Sequence, residues 1–197
     1  MHAPRASFLA LFVVGSLVGC DRRAPAAECL KDRDFDLLDG RTLAWNALRG
    51  TAATVLITLD PECPFCRNYA PMIDSLSKRF APAGVRFVGV YAGPYIVADS
   101  VRTYVERCGL AFDHVLDREC GTAGSLGARV APECFVLNAQ DELVYRGALD
   151  DRAVRAGRHK PTATRHYLAD AVQRLLDGRE PSRGADAVGC IVECPDR

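Results

Sequence analysis

The chain has no surplus of charge of either sign: Lys plus Arg and Asp plus Glu are both 25 in 197 residues. Without a basic stripe, nucleic acid is removed as a partner, and electrostatics names no other. Long apolar runs are missing too. The run from Phe8 to Val18 falls well short of the ~20 residues that a membrane-spanning helix needs. Histidine is scarce, with His114, His159 and His166 the only ones after His2. His166 falls beside the apolar face of a C-terminal helix, where a helix-surface role is expected rather than catalysis. Trp45 is the only tryptophan and reads as a packing residue. There is no internal repeat, and the length suits one well-cored domain plus extensions.

Cysteine, by contrast, is abundant, with nine in the chain. The opening "MHAPRASFLALFVVGSLVGC" passes from a short basic start through an apolar run to small residues, the pattern of an export signal. An exported protein lives where disulfides persist. Leu17-Val18-Gly19-Cys20 resembles a bacterial lipobox, which implies cleavage before Cys20 and its lipidation. Several acyl chains hold a domain on a membrane as one chain does not. The expected location is therefore the bacterial cell envelope, as a membrane-anchored lipoprotein facing the periplasm. Residues 1–19 are read as the signal, 20–34 as a charged, Ala-rich membrane tether, 35–178 as the folded domain and 179–197 as a cysteine-containing tail. With Cys20 lipidated, eight cysteines remain. They allow on the order of 100 connectivities, so an even number does not reveal the pairing.

Asp39-Gly40 between two short apolar runs predicts a hairpin. "TVLITLD" from Thr54 to Asp60 reads as a buried strand, and "RNYAPMIDSLSKRF" follows with apolar residues at helical spacing. A second buried strand starts at Val85, followed by a helix that Gly109 stops. "FDHVLD" gives a third strand, "GTAGSLGA" a short helix, and "CFVLNAQDELVYRGAL" a hairpin. A last amphipathic helix carries Tyr167, Leu168, Ala171, Val172, Leu175 and Leu176 on one face, with Thr162 as its expected N-cap and Gly178 as its stop. This alternation implies an α/β sandwich with a mixed sheet.

Between the first buried strand and its helix stands "DPECPFCRNY". A CxxC opening a helix puts its first sulfur beside unsatisfied backbone N–H groups at the positive end of the dipole, which favours the thiolate. Cys63 is thus the nucleophile. Cys66, one turn on, is placed to resolve the mixed disulfide that Cys63 forms with a substrate, and Pro64 suits the first helical turn. A zinc site would need a second ligand pair, for which Cys190 and Cys194 are the candidates, but structural zinc favours small loop-rich units over a strand-to-helix junction. An inert staple is the remaining alternative.

"DPECPFCRNYAPMIDSL", "GARVAPECFVLNAQDELVYRGALDD" and "TRHYLADAVQRLL…VGCIVE" together resemble the exported redoxins of the thioredoxin-like superfamily, relatives of the alkyl hydroperoxide reductase and thiol-specific antioxidant proteins. The resemblance spans roughly residues 34–193 and implies a three-layer α/β/α sandwich of thioredoxin type, with no cofactor and no metal. It also implies a cis-proline at Ala131-Pro132 facing the cysteines, so that Pro64, Phe65, Ala131 and Pro132 form the substrate-binding surface. Three departures stand out. The acid that thioredoxin buries six residues before its first cysteine is here Ile57. The places where peroxiredoxins carry Pro and Thr/Ser to bind peroxide hold Leu56 and Asp60, which disfavours peroxidase activity of that kind. Cys134, two residues past Pro132, is a third sulfur near the pair, although a buried thiol is the commoner role for a strand cysteine.

Asp60 and Glu62 flank Cys63 and oppose its anion, while Arg67 favours it. With no histidine between the cysteines, a reductant or a poised exchange protein is expected. Cys190 can fold back toward the pair as an auxiliary thiol or form a staple with Cys194 or Cys29; the structural role is expected, as it is for Cys108 and Cys120. The sequence thus points to a membrane-tethered thiol-disulfide oxidoreductase acting on envelope protein thiols and disulfides. The alternatives are a thiol-dependent peroxidase, and a copper or cytochrome-maturation delivery protein using Cys63, Cys66 and His166, since thiolates suit Cu(I).

Overall fold

The computed structural model describes residues 26–155 and 158–195. The expected signal over 1–19 and the lipidation site Cys20 lie outside the described residues. In chain order the elements are α1 (Ala26–Lys31), β1 (Asp34–Asp36), β2 (Thr42–Ala44), α2 (Trp45–Leu48), β3 (Ala53–Thr58), α3 (Pro64–Phe80), β4 (Val85–Ala92), α4 (Ala98–Cys108), β5 (Asp113–Asp117), α5 (Gly121–Leu126), β6 (Val130–Ala131), β7 (Cys134–Asn138), β8 (Leu143–Gly147), β9 (Ala153–Arg155), β10 (Arg158–His159), α6 (Tyr167–Leu176) and β11 (Cys190–Ile191).

Five strands form the central sheet in the order β5-β4-β3-β7-β8. β3, β4 and β5 run parallel, and β7 and β8 run antiparallel to their neighbours. The sheet is therefore mixed, as its connections require: helical crossovers join the parallel strands and a hairpin joins the last two. Side chains alternate between its faces. Val55 and Ile57 of β3, with Cys134 and Val136 of β7, join the cluster under α3, α4 and α6. Leu56, Phe135 and Leu137 join Leu30 of α1, Trp45 and Leu48 of α2 and Leu126 of α5 on the other face. The expected three-layer α/β/α sandwich is what forms. Trp45 packs against Phe35 with ring centroids 5.8 Å apart, as the packing role anticipates.

Two expected boundaries shift. The stretch read as a tether enters the domain before residue 35, because Leu30 on α1 is fully buried, and burying such a side chain contributes about 2 kcal/mol. The last helix begins at Tyr167, so Thr162 does not cap it. The cause is Asp151, whose carboxylate accepts the Thr164 N–H at 2.8 Å, the Thr164 hydroxyl at 2.6 Å, the Arg165 N–H at 3.1 Å and the Lys160 ammonium at 2.6 Å. Those groups hold residues 160–165 as a loop and keep the Asp151 carboxyl well below the usual carboxylate range.

His114 on β5 is buried, with its Nδ1 3.2 Å from the Tyr91 hydroxyl. Burial lowers its pKa from 6.5 to about 4. Between those values the unfolded chain binds the proton that the folded chain refuses, so stability is full above pH 6.5 and falls as pH drops toward 4. The loss by pH 4 should be on the order of 3 kcal/mol. Denaturant unfolding between pH 7 and pH 4 should show this slope in the native chain, and His114→Asn, with no titrating group there, should lose most of it.

Candidate active site

β3 delivers the cysteine motif to the C-terminal edge of the sheet. Its last residue is Thr58, and α3 begins six residues later, with Cys63 as N-cap in extended conformation and Pro64 at the first helical position. Proline is favoured there because its absent N–H would have had no intrahelical partner. Pro71 lies inside the same helix and removes one hydrogen bond from its ladder. The Arg67 N–H donates to the Cys63 carbonyl at 3.2 Å, closing the turn that carries Cys66.

Cys66 is fully buried. Its thiol is pushed up to about 12, first by burial and then by the nearby Asp60 carboxylate, while the Asp60 N–H, 3.4 Å from Sγ, and Arg67 work in the other direction. Asp60 is thus an ionisable neighbour of Cys66, where position 57 holds no acid. Ile57 itself packs in the same apolar cluster as Cys63 and Cys66. Residues flanking a CxxC are read most readily for their effect on the first sulfur, and for that reason the coupling of Asp60 to the second was not anticipated.

The Ala131-Pro132 peptide is cis, as the resemblance implies. Thr58 pins this loop: its hydroxyl donates to the Val130 carbonyl at 2.6 Å and accepts the Glu133 N–H at 2.9 Å, while its own N–H donates to the Glu133 carbonyl at 3.0 Å. Glu133, itself buried, accepts the Arg129 N–H at 2.9 Å and the Arg146 guanidinium at 2.7 Å. The result sets the Ala131 carbonyl oxygen 3.2 Å from Cys63 Sγ.

The described cysteines do not all pair as expected. Cys63 is bonded to Cys190 of the tail, and Cys120 to Cys194. Cys66, Cys108 and Cys134 are free thiols. The staple of Cys190 with Cys194 or Cys29 is therefore replaced by a bond to Cys63, and the disulfide role expected for Cys108 is not realised. The pairing of Cys120 with Cys194 fits the structural role expected for Cys120. Cys134 is fully buried opposite Ile57 in the β3–β7 ladder, and burial first, then Glu133 and Cys66, holds its thiol neutral.

Of the four residues expected to form a substrate surface, Pro64 is exposed, Phe65 is buried in the core, and Ala131 and Pro132 are buried, with Ala131 under the tail. A cleft of about 470 Å³ opens beside them between β11 and the segment leading into α4. Its rim carries the exposed apolar side chains of Tyr95, Val97 and Ile191. Leu56, at one peroxide-binding place, points into the cluster on the opposite face of the sheet from Cys63. Among the described residues no three His, Cys, Asp or Glu side chains gather closely enough to hold a metal ion. The copper arrangement of Cys63, Cys66 and His166 is therefore not assembled; His166 serves instead as the residue preceding α6. No helix among the described residues is long and apolar enough to cross a membrane.

The AhpC/TSA family model matches residues 22–146. The thiol-disulfide oxidoreductase ResA of Halalkalibacterium halodurans is 25% identical over 119 residues, a match covering 59% of this chain and 66% of that protein. Just under two thirds of that relative is therefore spanned. Among solved structures, a hypothetical protein from Sinorhizobium meliloti superposes with a TM-score of 0.75 at 21% identity, covering 85% of this chain and 93% of the other. A secreted Mycobacterium tuberculosis disulfide oxidoreductase gives a TM-score of 0.55 at 19% identity, covering 77% and 98%. At these identities the structures establish the fold, which is thioredoxin-like.

Proposed function

Because the chain belongs to the AhpC/TSA family, we propose that it is a thiol-disulfide oxidoreductase in which Cys63 attacks and Cys66 resolves. One observation carries the reading: the first cysteine of a CxxC caps a 17-residue helix and faces a cis-proline loop across 3.2 Å. Unsatisfied N–H groups at the start of α3 stabilise a thiolate on Cys63 as it forms or leaves. A substrate disulfide attacked by that thiolate becomes a mixed disulfide on Cys63. The Cys66 thiol then attacks Cys63 Sγ, expels the second substrate sulfur as thiolate and leaves Cys63 bonded to Cys66.

Burial keeps Cys66 protonated until this step. A neutral resolving thiol releases little of the mixed disulfide before substrate is positioned, and Asp60 is the group beside it through which its proton can leave. Pro64 and the Ala131-Pro132 loop supply the surface on which the substrate chain lies. The partners in this reading are thiols and disulfides of envelope proteins, which the protein reduces or exchanges while tethered through lipidated Cys20.

The roles are tested by trapping. A variant carrying both Cys66→Ser and Cys190→Ser keeps Cys63 without a neighbouring thiol able to resolve it, and should accumulate a mixed disulfide with a disulfide-bearing protein substrate. Non-reducing electrophoresis reads the adduct. A Cys63→Ser variant should form none, and an adduct through Cys66 in that variant would reverse the assigned roles.

A further inference from the structure

The tail is built into the site rather than trailing from it. β11 pairs antiparallel with β6, Cys190 opposite Ala131 and Ile191 opposite Val130. The Val192 N–H adds a bond to the Arg129 carbonyl at 3.0 Å, and upstream the Ala148 N–H donates to the Ala185 carbonyl at 2.9 Å. Val188, Cys190 and Val192 pack against the main core, and the Cys120–Cys194 bond fixes the far end. Cys63 is only 1% exposed in this arrangement. An incoming disulfide has no access to it until the tail lifts.

Glycine at 189 is required by the same seat. A Cβ there would stand 2.2 Å from the Ala131 carbonyl oxygen and 2.6 Å from its carbon, a backbone overlap no rotamer relieves. With no side chain at 189, the strand comes close enough to the cis-proline loop to bring Cys190 onto Cys63.

We propose that Cys190 is a third redox-active cysteine, and that β11 occupies, within the chain, the seat of a cysteine-bearing substrate strand, so that the Cys63–Cys190 bond is an internal mixed disulfide which Cys66 resolves. The proposal rests on the oxidoreductase reading above. The chemistry is an exchange with no net oxidation. The Cys66 thiolate attacks Cys63 Sγ, the Cys63–Sγ bond to Cys190 breaks, a Cys63–Cys66 bond forms, and Cys190 leaves as a thiolate that takes up the proton Cys66 gave away. One disulfide is present before and after, so no outside oxidant or reductant enters. Exchange releases Cys190 from Cys63 and lets β11 lift from the edge of β6, while Cys120–Cys194 keeps the far end of the tail attached; the reverse step closes it.

The test maps disulfides in the full chain equilibrated with glutathione buffers, quenched with acid, alkylated and read by mass spectrometry of linked peptides. Wild-type protein should contain both the Cys63–Cys190 and the Cys63–Cys66 linkage. Gly189→Val retains every thiol but loses the seat; its Cys63–Cys190 fraction should fall at least tenfold, with Cys63–Cys66 rising to replace it. In Cys66→Ser, Cys63 should be found with Cys190. If oxidised Cys63 is bonded to Cys66 alone at every buffer ratio, or if Gly189→Val leaves the ratio of the two linkages unchanged, the proposal is overturned while the oxidoreductase reading stands. If Cys63 stays a free thiol in all buffers, both fall together.

Discussion

Cys63→Ser is expected to lower disulfide-exchange turnover by roughly three orders of magnitude or more, the largest effect of any single change in the chain. A hydroxyl at this position has neither the accessible anion nor the nucleophilicity of a thiolate. Nothing nearby can replace it. Cys66 and Cys134 are buried thiols whose ionisation burial opposes, and Cys190, the residue bonded to Cys63, sits on β11 rather than at a helix N-terminus that would favour its thiolate. Dithiothreitol-driven reduction of a protein disulfide measures the rate, and far-ultraviolet circular dichroism checks that the fold is intact. Substitution of Cys66 should be milder in single turnover, because the first attack does not need it. Residual turnover in Cys63→Ser within about tenfold of wild type would mean that another sulfur is the nucleophile.

Removing the Cys120–Cys194 bond should have the largest effect on stability. It closes a loop with a sequence separation of 74, and restraint of so long a loop in the unfolded chain corresponds to about 4 kcal/mol at 25 °C in the chain-entropy account. Engineered and native bonds often deliver less, so a loss of about 2–4 kcal/mol is expected for the Cys120→Ser, Cys194→Ser pair. Denaturant unfolding of the full chain against wild type measures it. The bond also holds the tail that carries Cys190, so in unreduced protein whose Cys190 is freed by Cys63→Ser, adding the pair should speed alkylation of Cys190. An unchanged midpoint would mean that the tail contributes nothing to the folded state.

Local signals in the sequence located the elements around the site well. Asp39-Gly40 predicts the β1–β2 hairpin, Gly109 the end of α4, and the apolar runs the three parallel strands, because each depends on chemistry within a few residues. The CxxC was placed correctly at a strand-to-helix junction for the same reason. The cis peptide at Ala131-Pro132 was legible only through family resemblance, since cis and trans proline leave the same local pattern. Pairing of the cysteines was not legible. It depends on where residues 184–194 are laid across the sheet edge, and that path is set by contacts with Gly147, Ala131 and Arg129 far away in sequence. Thr162 has the composition of a cap, but Asp151 organises its neighbours into a loop first.

The proposed chemistry requires Cys63 to be the redox-active sulfur of this fold. Its most direct test is the reduction potential of Cys63 in the full chain, obtained by equilibration with glutathione or dithiothreitol and mass-spectrometric trapping of each cysteine. A two-electron titration is expected in which Cys63 loses alkylation together with one partner thiol, at a potential between about −120 and −270 mV, the span of known thioredoxin-fold exchange proteins. Cys63 that stays fully alkylatable across that span, or a Cys63 disulfide that no buffer opens, would contradict it.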